Sequence, residues 1–295
     1  MSKDENKTSS DIPESKPELR APSQAWQPIT PSGVAAFAGA TVGRLLIVQL
    51  IVAALAAWCV LWFLAANWFP IVRGAIAQLP DEGIIQNQQL STPHTSTAPL
   101  AESRLLTLVV DADGVGTPSV ATDLRVEFHR RNIAFCSLFG CLNFDYPKDS
   151  TVQFNRPELQ SRWGAWQTMI LWITGIGVVV WLFLSWFALA TAYCLFVRIF
   201  AFFKDRQVSL LGSWKLCAAA LLPAALMAGG SILLYGVGII DLLQFLLLFN
   251  FHIVVGWVYV LLSLLRLPRA SDARPITRNP FDSEKPAGPS NPFSS

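Results

Sequence analysis

From Trp163 to Leu265 the chain is almost continuously apolar, with its main break at Lys204-Asp205-Arg206. A soluble core cannot enclose a run of roughly a hundred such residues, whereas about 20 apolar residues cross the hydrocarbon of a bilayer as one helix. A helix satisfies its own backbone hydrogen bonds, so it is a form in which a chain can sit in lipid. The pattern therefore predicts an α-helical membrane protein with four transmembrane helices, at residues 41–69, 163–203, 210–235 and 239–265.

The first span takes its apolar run from Leu45 to Phe69, between Arg44 on one side and Pro70 and Arg73 on the other. Ala53, Ala54, Ala56 and Ala57 give it a small-residue face for close helix packing. Residues 163–203 contain no Pro and no Asn-Gly turn. As one helix they would be roughly 60 Å long, about twice the hydrocarbon thickness. A short charged loop, 204–209, leads to the third span, which holds Pro223 near its middle and Gly229-Gly230 beyond. Only Gly236-Val237-Gly238 separates spans three and four, so the two are expected as a tight antiparallel hairpin.

Between spans one and two the pattern changes. Residues 70–162 carry mixed charge and short alternating segments, which predict a small, mainly β domain inserted in the helical frame. Leu105 to Val110 is rich in strand formers and runs into the turn signal Asp111-Ala112-Asp113-Gly114. Asp123 to His129 alternates as a half-buried strand does, and Leu142–Tyr146 and Thr151–Phe154 repeat the theme. Asn155 is placed to cap a helix entered through Pro157-Glu158 and running straight into span two. The ends, 1–40 and 266–295, are polar and rich in Ser, Pro and charge, and are expected as disordered tails.

Composition agrees. Hydrophobic residues are 53% and charged residues 14%, against about 25% charged in soluble domains. A net charge of +2 gives no reason to expect nucleic acid as a partner. Position matters more than sum. Arg198, Lys204, Arg206 and Lys215 surround the loop between spans two and three, and Arg266, Arg269, Arg274 and Arg278 follow span four. The turn between spans three and four has only Asp241 nearby. Excess Lys and Arg mark the cytoplasmic side. Both termini are then cytoplasmic, the β domain is extracytoplasmic, and the membrane is a plasma or bacterial inner membrane.

The outer domain contains Cys136-Ser-Leu-Phe-Gly-Cys141, which an oxidising compartment would join as a disulfide. The closed loop is short, so its entropic stabilisation is modest, about 2 kcal/mol. Cys59, Cys194 and Cys217 lie in spans, as packing residues. Asn250 and His252 are the notable polar pair within the membrane. Two readings apply: a proton relay or ligand contact, or a neutral histidine bonded across the bundle, with Gln49, Asn67 and Gln244 as available partners. Asp111, Asp113 and Gly114 resemble the start of a calcium loop, but Val115 stands where a ligand is needed, so a hairpin turn is expected. Arg125 with His129-Arg130-Arg131 makes a basic cluster that either meets anionic groups or forms a solvated strand face. No catalytic motif is present, so neither an enzyme nor a cofactor is expected. The tail repeats a tripeptide, Asn279-Pro280-Phe281 and Asn291-Pro292-Phe293, a form suited to docking with avidity to a cytoplasmic partner.

Ala77-Gln78-Leu79-Pro80, Gln86-Asn87-Gln88-Gln89-Leu90, Val109 to Gly114, and Ser213-Trp214-Lys215-Leu216 with Pro223 together resemble uncharacterised bacterial multi-pass proteins, loosely of the Yip type. That resemblance implies one N-terminal span, an extracytoplasmic domain and a C-terminal helical block, and no catalytic residue. The functional expectation is a bundle that anchors an outer domain for a protein partner, in contact with membrane lipids, with a homo-oligomer open. The alternatives are an oligomeric channel or transporter using Asn250 and His252, and a trafficking or membrane-shaping protein with a docking tail.

Overall fold

The computed structural model describes residues 26–93, 98–112, 122–148, 150–206 and 208–268. The Asn-Pro-Phe repeats, and Asp113 to Val115 of the calcium-like segment, lie outside the described residues. Four helices are long and apolar enough to cross a membrane, and a small two-sheet region stands at one end of them.

The first long helix is α2, Val42–Phe63, capped by the Thr41 side chain, which accepts from the Arg44 backbone. It does not stop at Pro70. A π turn, Leu64–Trp68, joins it to α3, Phe69–Gln78, and the helical path runs unbroken from Val42 to Gln78. Proline has no N–H to donate and crowds the preceding turn. One widened turn absorbs that misfit and lets the helix go on. The helix expected to end at Phe69 thus runs on, and α3 packs within the sheet region. Its Ala75 and Leu79 are buried in that region's core.

Helix α4, Arg156–Phe203, is 48 residues long and unbroken, with Asn155 accepting from the Glu158 backbone as its cap. It measures about 72 Å at 1.5 Å per residue. Its first turns pack in the sheet region through Leu159 and tie to Asp81 through Arg156, at 2.5 Å. Helix α5, Leu210–Gly236, and helix α6, Leu242–Leu265, form the expected hairpin. Asp241 and Gln244 close a capping box at the start of α6.

Helix α5 is central. Of its most apolar stretch 67% is buried, against 6% for that of α4 and 11% for that of α6, so the latter two leave most of that surface uncovered by the rest of the chain. Ala218, Ala219, Ala220, Ala224 and Ala225 let neighbours approach closely. A Cβ at Gly229 would stand 3.3 Å from the Cys59 sulfur of α2.

The N-terminal segment was expected to be disordered up to residue 40, and from Trp26 onward it is not. Helix α1, Pro31–Ala36, capped by Thr30, leads into a 3-10 turn, Phe37–Gly39. Val34 and Phe37 are fully buried against α5 and α6. Lys215 donates to the Ala40 carbonyl at 2.5 Å, and the Tyr259 hydroxyl to that of Ile29 at 2.6 Å. A few apolar side chains set among Pro, Ser and Gly are enough once a helical surface is present to receive them.

The sheet region has two parts. Strands β1 (Ile84–Gln86), β2 (Gln89–Ser91) and β8 (Val152–Gln153) form one sheet in the order β2-β1-β8. The β1–β2 turn places Asn87 and Gln88 at φ of 53° and 61°, the left-handed pair that a two-residue hairpin requires. The second sheet runs β3-β4-β5-β6-β7, with β3 at Ala101–Glu102, β4 at Leu106–Val110, β5 at Leu124–Phe128, β6 at Asn132–Ser137 and β7 at Gly140–Asp145. Strands β4 and β5 are parallel, so the hairpin expected after Val110 is replaced by a crossover. Strand β4 is buried on both faces, which is why its sequence is an apolar run without alternation.

Removing the Phe37 ring leaves a cavity where α1 meets the bundle. Phe37→Ala is expected to cost about 3–5 kcal/mol, read as a lowered denaturant midpoint in detergent, with Trp26→Ala at the exposed end of the segment changing little.

Candidate functional site

Tyr235, in the last turn of α5, joins the sheets to the membrane helices. Its hydroxyl donates to the Asp123 carboxylate at 2.7 Å. Its ring stacks on Phe63 of α2 at 5.7 Å and on Phe245 of α6 at 4.7 Å. Arg104 stands beside that ring and donates to two carbonyls, Tyr235 at 2.9 Å and Ile240 at 3.2 Å. The Tyr235 carbonyl lies in the last turn of α5, where the helix dipole favours a cation, and the Ile240 carbonyl lies just before Asp241, the cap of α6. The Asp123 backbone N–H donates to the Arg104 carbonyl, so both charged residues stand at one corner of the five-stranded sheet. Sequence reasoning missed this junction. Tyr235 beside a Gly-Val-Gly turn was a visible interfacial aromatic, but its partners lie more than a hundred positions away, with no local pattern to mark them.

The intramembrane pair is split. Two positions along a helix differ by about 200°, and Asn250 is exposed, its side chain donating to the Leu246 carbonyl at 2.7 Å. His252 engages the Phe249 carbonyl of its own helix and packs beside the Phe249 ring. It borders a groove of about 710 Å³ between α4 and α6, floored by Ala224, Ala225 and Ala228 of α5 and walled by Ser185, Trp186 and Tyr193. Among the described residues, no other basic and no acidic side chain lines this groove. Gln244 is occupied in the α6 cap, Gln49 is buried on α2, and Asn67 sits in the π turn beside Gly236. None of the three lines the groove.

In the sheet region Cys136 and Cys141 are bonded to each other and face one another across the β6–β7 ladder. Gly140, at φ of 110°, makes the turn that the loop needs. The basic cluster is divided: Arg125 and His129 both pair with Glu127, at 2.6 and 3.0 Å, while Arg130 and Arg131 stand in the β5–β6 turn. No group of three or more metal-ligating side chains occurs among the described residues.

One face of the five-stranded sheet is mostly apolar, broken by Ser137 and Gly140 at the hairpin end. Register places Leu106, Leu108 and Val110 beside Leu124, Val126 and Phe128, then Phe135 and Ile133, then Leu142 and Phe144. The β4 and β5 part lies in the core with Ala75 and Leu79 of α3. The cover gives out toward the β7 edge, where Leu142 is 67% and Phe144 56% exposed. Every residue of β7 is exposed, and nothing pairs with its outer edge among the described residues.

Comparison with protein-family models, curated proteins and solved structures finds no match to this chain. Gln86 to Leu90 span the β1–β2 hairpin, and Ser213 to Leu216 lie in the first turns of α5.

The Tyr235 junction makes a thermodynamic prediction. Tyr235→Phe is expected to cost about 1.5–3 kcal/mol, as loss of a hydrogen bond to a charged group does. Asp123→Asn combined with it should cost less than the two singles summed, measured by unfolding in detergent. Strict additivity would mean that the two groups do not act together.

Proposed function

We propose that this protein is a non-enzymatic membrane anchor that holds a rigid binding module outside the cell membrane, where the module takes an extended segment of a protein partner. The observation that carries this reading is strand β7: an edge strand with apolar side chains on one face, unpaired on its outer side among the described residues and closed into a fixed hairpin by the Cys136–Cys141 bond. An open strand edge offers main-chain donors and acceptors to a further strand, and pockets beside it select alternate side chains. Native sheets blunt such an edge with charge or proline, and β7 has only Asp145, at its end.

Orientation supports the same reading. The short α4–α5 connection and the chain after α6 are basic, at the end of the bundle that holds the N-terminal segment, while the basic residues of the other end belong to the long inserted sheet region, which counts little toward orientation. With the end that holds the N-terminal segment cytoplasmic, the disulfide lies in an oxidising compartment, where such bonds persist. Two long helices, α2 through α3 and α4, enter the sheet region directly, and Arg104 and Asp123 tie it to the other two. A module held at four points presents β7 in one orientation with little entropy left to lose on binding.

Two measurements test this. A cysteine replacing Thr97 is expected to react with a membrane-impermeant maleimide applied to intact cells; labelling only after lysis would reverse the orientation. A photo-crosslinking amino acid at Asn143 is expected to give a discrete adduct in cells, lost in the Leu142→Ser, Phe144→Ser double variant, with none from the same group at Arg131. An adduct from Arg131 alone would remove β7 as the binding edge.

A further inference from the structure

At the tip of the β6–β7 hairpin stand Phe139, 79% exposed and the most exposed large apolar side chain among the described residues of the sheet region, and Leu138, at 65%. The height of the tip follows from register. Ser137 pairs with Leu124, and Gly140 with Ser137, so the tip lies level with Asp123, one residue before Leu124. Asp123 is bonded to the Tyr235 hydroxyl in the last turn of α5. The tip therefore stands at the level where α5 ends and α6 begins. Neighbouring strands are about 4.8 Å apart, which puts Gly140 roughly 10 Å to the side of Leu124. High exposure shows that no helix among the described residues covers the tip. A position level with the helix ends and beside the bundle is the headgroup region of the bilayer.

From this we infer that Leu138 and Phe139 seat in the lipid leaflet on the sheet side of the membrane, as a fifth contact between this chain and the bilayer. Chemistry matches the place. The run from Cys136 to Phe144 has no Lys, Arg, Asp or Glu, so insertion carries no charge into lipid. Val237 and Ile239, in the α5–α6 turn, are likewise exposed at this level and continue the same apolar belt. The disulfide closes the hairpin just behind the tip, so the two side chains are presented on a rigid support. The opposite turn, with Arg130 and Arg131, lies at the far ends of β5 and β6 and points away from the helices. Burial of two large apolar side chains is a modest anchoring force, on the order of the partial insertion of an interfacial segment. Its effect is to fix the sheet on the membrane surface and leave the β7 edge standing upright from it.

The inference rests on the membrane-spanning reading of the four helices but not on β7 having a partner. It is tested with the full chain in nanodiscs of phosphatidylcholine, where only this protein and lipid are present. A coumarin-bearing amino acid is introduced singly at Phe139, Arg131 or Trp172, and quenching by phosphatidylcholine nitroxide-labelled near the headgroup end of its acyl chain is compared. Trp172 is exposed on α4 within its apolar run. The expected result is strong quenching and blue-shifted emission at 139, several-fold above 131, unchanged in high salt because no charge is involved. Quenching at 139 equal to that at 131, while 172 is quenched, would overturn the inference and leave the membrane helices standing. A crosslink from 139 to a second copy, with no lipid quenching, would also overturn it. No quenching at 172 would remove both.

Discussion

Close packing around α5 is the interaction on which the rest depends. In lipid, apolar surface gives no drive for helices to meet, so association relies on contact area and on small residues that let backbones approach. The Ala218–Ala220 run, Ala224, Ala225 and Gly229 supply that surface in this chain. Gly256 of α6 answers it: a Cβ there would stand 3.7 Å from Ala224. With α5 at the centre, α4 and α6 lie on its flanks and meet where Tyr193 and Phe196 pack on Trp257, at 4.4 and 5.8 Å, and the groove beside His252 is the space left between them beyond that contact. Pro223 is tolerated within α5 because the surrounding helices hold the helix through it.

What stands on this frame is held stiffly. Two of the four long helices continue into the sheet region, as α3 and as the first turns of α4. Edge packing of Phe69 on Trp163, at 5.2 Å, and a hydrogen bond from Arg73 to Gln167, at 3.2 Å, hold the two together above the bundle. Tyr235 ties in the other pair through Asp123 and Arg104. Rotation of the sheets about the membrane normal would have to break several of these contacts at once. Such rigidity suits a presented surface better than a moving gate. The separate placement of Asn250 and His252, each bonded within its own helix, gives no line of polar groups across the bundle.

Much of the helical frame was legible in the sequence because lipid imposes a simple rule: length and continuous apolarity specify a span. The one long helix of α4, its Asn155 cap and the short α5–α6 turn could be read that way. The cystine was legible too, since a five-residue separation around a glycine leaves few geometries open. Less legible were Pro70, which reads as a stop but is absorbed by a π turn, and the segment around Phe37, whose composition resembles a tail. In both, tertiary contacts outweigh a local preference worth only a few kcal/mol.

The sequence by itself determined which stretches form helices long and apolar enough to cross a membrane, where the helices are capped and which strands alternate, because these depend on neighbours within a turn or a pleat. Only the tertiary structure decided that β4 and β5 run parallel, that Arg104 and Asp123 reach Tyr235, and that the apolar face of the sheet outruns its cover at β7. Each of those is a relation between residues far apart along the chain. Nothing local in a strand records which strand lies beside it, or how far the helix above it extends.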